Sequence, residues 1–163
     1  METKQDRAII VAELIELINK GNAHLSFEDA VAGIDPKLLT VIPEHLPYSL
    51  WQLIEHIRIT QWDIVEFCLH PDHVSPEWPA QYWPAPEEKA DQVKLASSLK
   101  QIKVDRERFF ALLNDPDKDL YTAFPYGDGQ NLFREALLIA DHTSYHLGEL
   151  IVLRRLLGNW TSS

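Results

Sequence analysis

The 163-residue sequence predicts an all-α protein, a four-helix bundle with long connections rich in proline and aromatic residues. Four long segments carry apolar residues at helical spacing, whereas no segment of comparable length alternates with the period of two that is typical of a strand. Four amphipathic helices in a chain of modest length bury their apolar faces most simply against one another. We therefore expect residues 1–163 to form a single domain.

The first long helix is predicted over residues 4–20, because apolar residues recur at helical spacing and Gly21 ends the run. Its apolar positions are Ile9, Ile10, Leu14, Leu17 and Ile18. A short helix is expected over residues 26–32, since Ser26 followed three residues later by Asp29 resembles a capping pair. The proline-containing stretch that follows is predicted to be a connection.

The second long helix is predicted to begin after Ser49, a favourable N-cap, and to continue to about His70, just before Pro71. Its buried face is predicted to contain Leu50, Leu53, Ile54, Ile57, Ile64 and Val65. The next connection, PDHVSPEWPAQYWPAP, holds five prolines and two tryptophans. We expect it to be rigid, because proline restricts φ and the large rings need a surface to cover.

The third long helix is predicted to begin at Pro86, with Glu87 and Glu88 near the positive end of its dipole, and to end near Asn114. Its apolar positions are Val93, Ile102, Phe109, Leu112 and Leu113. A loop with a short hairpin or extended piece around residues 121–126 is expected next. The fourth long helix is predicted over about residues 131–157, with Gly158 at the C′ position.

Composition excludes several classes of protein. A net charge of −10 opposes binding to nucleic acid through a basic surface. The single cysteine, Cys68, excludes a disulfide or a thiolate zinc cluster within one chain, and we expect a reducing compartment. No stretch approaches the ~18 apolar residues of a membrane span. These features predict a cytoplasmic protein without a nucleic-acid or membrane partner.

His142 and His146 are one helical turn apart in the most apolar helix, so both project from one face and can share one cation. That face is predicted to be buried, with the two histidines in a row that contains Leu138, Leu150 and Leu153. The alternative is a pair of core histidines satisfied by hydrogen bonds, or one of them at the rim. A buried imidazole nitrogen without a partner costs ~1–3 kcal/mol, which favours a shared role for the pair.

His56 is the best candidate for a third ligand, because its phase in the second long helix turns it toward the bundle interior. Three neutral imidazoles form an open site in which a metal ion can acidify water or bind a substrate heteroatom. His24 is expected at a cap or on the surface, although it could line the mouth of a pocket. The remaining histidines are interpreted as surface or loop residues unless the fold turns one of them inward: His45, His70 and His73.

Glu149 lies three residues after His146 and is the candidate catalytic residue. It is interpreted as an acceptor for an imidazole N–H, as a general base, or, preferentially, as a solvated helix charge. Asp141 is judged in the same way, and Tyr145 is predicted to pack with its hydroxyl at the edge. The Glu-x-x-His motif of di-iron bundles is absent, as are the zincin, nucleophile-elbow and P-loop motifs.

Two segments, SLWQLIEHIRITQWDI and ADHTSYHLGELIVLRRLLG, resemble the DinB-like metal-binding four-helix bundle family. The resemblance is carried by Leu-Trp-x-Leu-x-x-His in the second helix, His-x-x-x-His-x-Gly in the last, and the ending Leu-Arg-Arg-Leu-Leu-Gly. It implies a divalent metal, commonly nickel or zinc, held by His56, His142 and His146. Many members have Gln at the position of Glu149, so a role common to the family is not implied there.

The resemblance also implies a class of activity. Members include S-transferases that use low-molecular-weight thiols, related thiol-dependent isomerases and metal-dependent hydrolases. We therefore expect a metal-dependent enzyme, either a thiol S-transferase with a thiol cosubstrate or a hydrolase, acting on a small molecule. One alternative is a bundle whose histidines bind metal structurally or only pack. Another is a stress-response interaction module, a homodimer through the aromatic connection around Trp78, Tyr82 and Trp83.

Overall fold

The structure of the chain is a computed structural model that describes residues 4–160. These residues form helices and connections, and none of them belongs to a strand. The five α-helices are α1 (Lys4–Lys20), α2 (Phe27–Val31), α3 (Leu50–Leu69), α4 (Gln92–Asn114) and α5 (Leu132–Leu156). Short 3₁₀ helices lie in two connections, at Pro36–Leu38 and Ala80–Tyr82. The predicted all-α class is confirmed.

The four long helices pack side by side. α3 contacts both α4 and α5 extensively, and α1 contacts α5 and α4. The short α2 packs against α5. This arrangement is consistent with the predicted bundle. None of the helices within residues 4–160 combines the length and the apolar character needed to cross a membrane.

Local capping sets several helix ends as the sequence predicts. Ser49 caps α3 in a full capping box, in which its side chain accepts from Gln52 N and Gln52 Oε1 accepts from Ser49 N. Ser26 caps α2 by accepting from Asp29 N. Gly158 follows the end of α5 with φ at +67°, the left-handed conformation that glycine adopts without strain.

Two local predictions are wrong. α4 begins at Gln92 rather than at Pro86, because the Asp91 side chain accepts from the main-chain N–H groups of Val93 and Lys94 and supplies a true N-cap. Val93 then lies in the first turn and is 76% exposed. Residues 121–126 form turns rather than a hairpin, held by a hydrogen bond of 2.8 Å from Phe124 N to the carbonyl of Gln130.

The core consists of two apolar clusters. One surrounds α2 and the first half of α3, together with the last turns of α5. The other joins α1 to the second halves of α3 and α4 and to the beginning of α5. Along α3, α4 and α5, several of the buried or half-buried residues between these clusters are polar. This polar layer consists of Gln61, Asp63, Asp105, Arg106, His142 and His146, with His56 at its edge.

One residue of the predicted buried row lies outside the core. Leu138 is 40% exposed, whereas its neighbour Ile139 is 3% exposed. Residues four apart advance by about 40° around a helix, so a row extended over three such steps from Leu150 back to Leu138 rotates by about 120°. His146 and Leu150 therefore keep the buried face while Leu138 turns toward solvent. The first helix shows a similar departure, since Ile9 is 56% exposed.

Candidate metal centre

Three imidazoles from two helices converge in the polar layer. α3 supplies His56, and α5 supplies His142 and His146. One ring nitrogen of each lies within 4.8 Å of those of the other two, and His142 Nε2 is 3.1 Å from His56 Nε2. His56 and His146 are buried and His142 is half-buried. The structure thus brings together the three residues that the sequence nominates as metal ligands.

Hydrogen bonds from outside the cluster orient two of the rings. The Nδ1 atom of His56 lies 2.8 Å from the main-chain carbonyl oxygen of Tyr82. Because a carbonyl only accepts, Nδ1 carries the hydrogen and Nε2 of the neutral ring presents its lone pair to the cluster. His146 Nδ1 lies 2.6 Å from Glu149 Oε2, so the same reasoning leaves its Nε2 as the available donor atom.

The cluster favours uncharged imidazoles. Burial lowers the pKa of His56, and the neighbouring ring of His146 lowers it further. Burial also lowers the pKa of His142 to about 3, with additional repulsion from His146 and His56. The neutral imidazole is the form that binds metal ions, so both rings are ready to act as ligands near neutral pH.

The donor set fits a divalent transition metal. Three imidazole nitrogens, two of them fixed by outer acceptors, are the ligands that zinc and nickel accept readily. His142 Nε2 and His56 Nε2 are so close that two lone pairs would repel each other. Either a proton on His142 Nε2 or a shared cation must therefore lie between the two atoms. The proton corresponds to the alternative in which the histidines only hydrogen-bond within the core.

Aromatic rings surround the histidines. Trp83 lies face to face with His56, with ring centroids 3.9 Å apart and planes at 3°. Trp78 and Tyr145 are 67% and 66% exposed and lie near His56 and His146, with centroids 6.5 Å and 4.9 Å away. One side of the cluster is therefore covered, whereas exposed aromatic rings border it elsewhere.

Glu149 is held by two neighbours, and its interpretation as a solvated helix charge is wrong. Its Oε2 accepts from His146, and its Oε1 accepts a 2.7 Å hydrogen bond from the hydroxyl of Tyr48. Burial and the Glu149 carboxylate together raise the pKa of Tyr48 to about 12, so the phenol remains a donor. This geometry matches the alternative in which Glu149 accepts an imidazole N–H. Asp141 and Tyr145 are exposed.

The other histidines lie outside the cluster. His24, His45 and His70 are exposed, and His24 Nε2 accepts from Ser144 Oγ at 3.0 Å beside a groove between α1 and α5. His73 lies in a loop, as expected, but it is not on the surface, because its side chain is only 10% exposed and its Nε2 lies 2.7 Å from Asp63 Oδ1. The fold turns this connection inward over α3.

Four residues support the cluster although the sequence does not predict this role for them: Tyr48, Asp63, Tyr82 and Trp83. Tyr82 acts on His56 through a main-chain carbonyl, which no side-chain pattern reveals. The only available signal was the density of aromatic residues in the connection. Tyr82 and Trp83 pack against the chain's own α3 and are buried and half-buried, respectively.

Comparison with protein families agrees with the site geometry. The sequence profile of the DinB superfamily matches residues 23–150, a range that includes α2, α3, α4 and all three clustered histidines. Comparisons with curated proteins and with solved structures give no significant match. The profile covers most of the chain and includes both histidine motifs. The chain therefore belongs to the DinB superfamily.

Proposed function

We propose that the protein is a divalent-metal-dependent enzyme built as a single four-helix-bundle domain, with His56, His142 and His146 holding nickel or zinc. The observation that carries the proposal is the convergence of three ring nitrogens within 4.8 Å. The orientation of His56 by Tyr82 and of His146 by Glu149 supports it, because each outer acceptor engages Nδ1 and leaves Nε2 of the same ring available to a metal ion.

A bound divalent ion would lower the pKa of water or of a thiol, which suits hydrolysis and thiol S-transfer respectively. The chain's own groups then orient the ligands: Tyr82 fixes His56, and Tyr48 and Glu149 fix His146. Within residues 4–160, no Lys or Arg hydrogen-bonds to or pairs with these histidines or with Glu149. Because no cationic side chain among the described residues pairs with the centre, we expect the part of the substrate or thiol cosubstrate that lies near the metal to carry few carboxylates.

The first test is metal content. Wild-type protein loaded with Zn²⁺ or Ni²⁺ and desalted should retain about one ion per chain, and His142→Ala should retain far less. His24→Ala is the matched control, because His24 is exposed and outside the cluster, and it should retain metal as the wild type does. Failure of the wild type to hold stoichiometric metal would refute the proposal. Loaded protein is then assayed for ester or amide hydrolysis and for thiol addition to electrophiles.

A second candidate is a non-catalytic metal-binding or stress-response bundle, and the covering of His56 by Trp83 favours it. The two candidates differ in whether an added ligand reaches the metal. In Co²⁺-substituted protein, 2-mercaptoethanol should produce a thiolate charge-transfer absorption band if the metal has an open position. An unchanged spectrum, together with a melting temperature that falls on chelation, would instead support the non-catalytic candidate.

The environment of the protein is also a proposal. We propose that it acts in the cytoplasm on a small molecule, with neither nucleic acid nor membrane as a partner. The negative charge of the chain supports the first exclusion. The exposed Trp78 and Val74 support a homodimer through the aromatic connection, since both are large apolar side chains facing solvent. Sedimentation equilibrium that shows a strict monomer would remove the homodimer.

A further inference from the structure

A second concave site lies between the start of α3 and the proline-rich connection. Its cavity has a volume of about 560 Å³. Four prolines and two alanines line it, together with Tyr48, Gln52 and Trp83, and no lining side chain carries a charge. A cavity of this size, apolar and with few polar groups, is typical of a binding site for a small organic molecule.

Two walls of this pocket are shared with the candidate metal centre. Trp83 lies in the pocket wall and stacks on His56 with a centroid separation of 3.9 Å. Tyr48 also lines the pocket. Its hydroxyl donates a hydrogen bond to Glu149, which in turn accepts from His146. A molecule in the pocket is therefore separated from His56 by the Trp83 side chain and is connected to His146 through Tyr48 and Glu149.

Gln52 provides the pocket with a hydrogen-bond donor. Its Oε1 is engaged by Ser49 N at 2.9 Å in the capping box of α3. No hydrogen bond joins its Nε2 to another of residues 4–160, and this atom remains accessible although the residue as a whole is only 8% exposed. The amide donor of this pocket-lining residue is therefore free to hydrogen-bond with water or with a ligand. An acceptor atom on a bound ligand would satisfy it.

We propose that this pocket binds the flat, uncharged apolar part of the substrate, a group that carries one hydrogen-bond acceptor such as a carbonyl or ether oxygen directed at Gln52 Nε2. Tyr48 and Trp83 supply aromatic surface for the flat group. A carboxylate or an ammonium would lose its hydration without meeting an opposite charge. The inference rests on the proposed function, because it assigns the other end of the same molecule to the metal centre.

The probe is 4-fluoroacetophenone, a flat uncharged ketone, followed by ¹⁹F NMR on the full chain loaded with Zn²⁺. We expect saturable line broadening, whereas 4-fluorobenzoate and 4-fluorobenzylamine should bind at least tenfold more weakly. Gln52→Glu keeps the acceptor that the capping box needs and removes the amide donor. It should weaken ketone binding at least tenfold. Ala80→Phe fills the pocket from an exposed position and should have a similar effect.

Val93→Phe is the matched control, because it places the same ring at an exposed site outside the pocket lining. It should leave ketone binding unchanged. Equal binding of the ketone and the benzoate would overturn the inference. So would ketone binding that neither Gln52→Glu nor Ala80→Phe weakens, which would place the probe elsewhere, for example in the groove between α2 and α4.

Measurements of metal and ketone separate the two proposals. Wild-type protein stripped of metal with a chelator should still bind the ketone, with an affinity within about threefold of the loaded form. Stoichiometric metal without ketone binding would refute only this inference. Ketone binding with the expected response to the two pocket variants, but without metal retention, would refute only the proposed metal-dependent function.

Discussion

The hydroxyl of Tyr82 donates a 2.6 Å hydrogen bond to the buried carboxylate of Asp63. The same carboxylate lies 2.7 Å from His73 Nε2 and accepts its hydrogen bond, so Asp63 ties two points of the proline-rich connection to α3. Because the main-chain carbonyl of Tyr82 accepts from His56, the anchoring of Tyr82 to Asp63 also sets the orientation of one candidate metal ligand. Support for the centre thus comes from a connection, and not from the helices alone.

Tyr82→Phe should therefore weaken both the fold and the centre. Removal of a hydrogen bond to a buried carboxylate should lower the free energy of unfolding by about 1.5–3 kcal/mol. Loss of ligand orientation should reduce metal affinity by roughly 10-fold or more. Urea unfolding and chelator competition measure the two effects. Tyr126→Phe is the matched control, since its hydroxyl binds the carbonyl of Phe67 away from the histidines, and it should leave metal affinity unchanged.

Glu149→Ala should reduce metal affinity by about 10–100-fold, because His146 loses the acceptor that fixes its ring and its tautomer. Glu149→Gln should lose less, since the amide oxygen can still accept from Nδ1–H. Chelator competition at pH 7.5 gives both affinities. Glu107→Ala, which removes an exposed carboxylate of α4, serves as the control. Equal affinities of the wild type and Glu149→Ala would contradict the positioning role of Glu149.

Metal-free protein should become less stable as the pH falls below about 6.5. The pKa of His142 falls from 6.5 to about 3 on folding, so between these values the unfolded chain binds more protons than the folded one. The stabilisation is complete above pH 6.5 and is lost as the pH falls, with a slope of at most about 1.4 kcal/mol per pH unit for one proton.

Urea unfolding of chelator-treated protein between pH 5 and pH 8 measures this slope. In His142→Gln the slope should be smaller than in the wild type by up to the contribution of that one proton. His45→Gln removes an exposed histidine and should leave the slope as it is. A slope that His142→Gln does not change would show that the folded state does not exclude the proton from this ring.

Cys68 should not react with Ellman's reagent at pH 8 in the native protein. The thiol is buried in the cluster that joins α1 to the second half of α3, and burial raises its pKa, so little reactive thiolate is present. In 6 M guanidinium chloride one thiol per chain should react. Rapid reaction without denaturant would show that this end of the core opens readily.

The helices could be predicted from the sequence because their signals are local. Ser49 and Gly158 act within one turn of the helix ends that they mark. The start of α4 could not be predicted as reliably, because Pro86 and Asp91 are both plausible signals for a helix start. The helix begins after Asp91 because its side chain accepts from Val93 N and Lys94 N, and these contacts are visible only in the structure. Leu138 was misplaced because a row at four-residue spacing drifts around the helix.

The three clustered histidines could be nominated because their helical phase and their apolar neighbours are visible in the sequence. The hydrogen bonds of Glu149 with Tyr48, of His73 with Asp63 and of Tyr82 with His56 could not be predicted, since each joins residues that lie in different elements. Tyr48 is 101 residues from Glu149, and Tyr82 is 26 residues from His56. Only tertiary packing brings such partners into contact. In the sequence, these residues look like ordinary surface residues.

The polar layer has a consequence for the alignment of the helices. Two faces made only of Leu and Ile can slide past each other by one turn, about 5.4 Å, and still bury similar apolar area. A slide of α5 along α3 would take His142 and His146 away from His56 and would leave polar atoms facing aliphatic side chains. Gln61, whose Nε2 donates to the carbonyl of Ile102 at 2.7 Å, imposes the same restriction between α3 and α4. The layer therefore selects one axial register from several that the apolar clusters alone would tolerate.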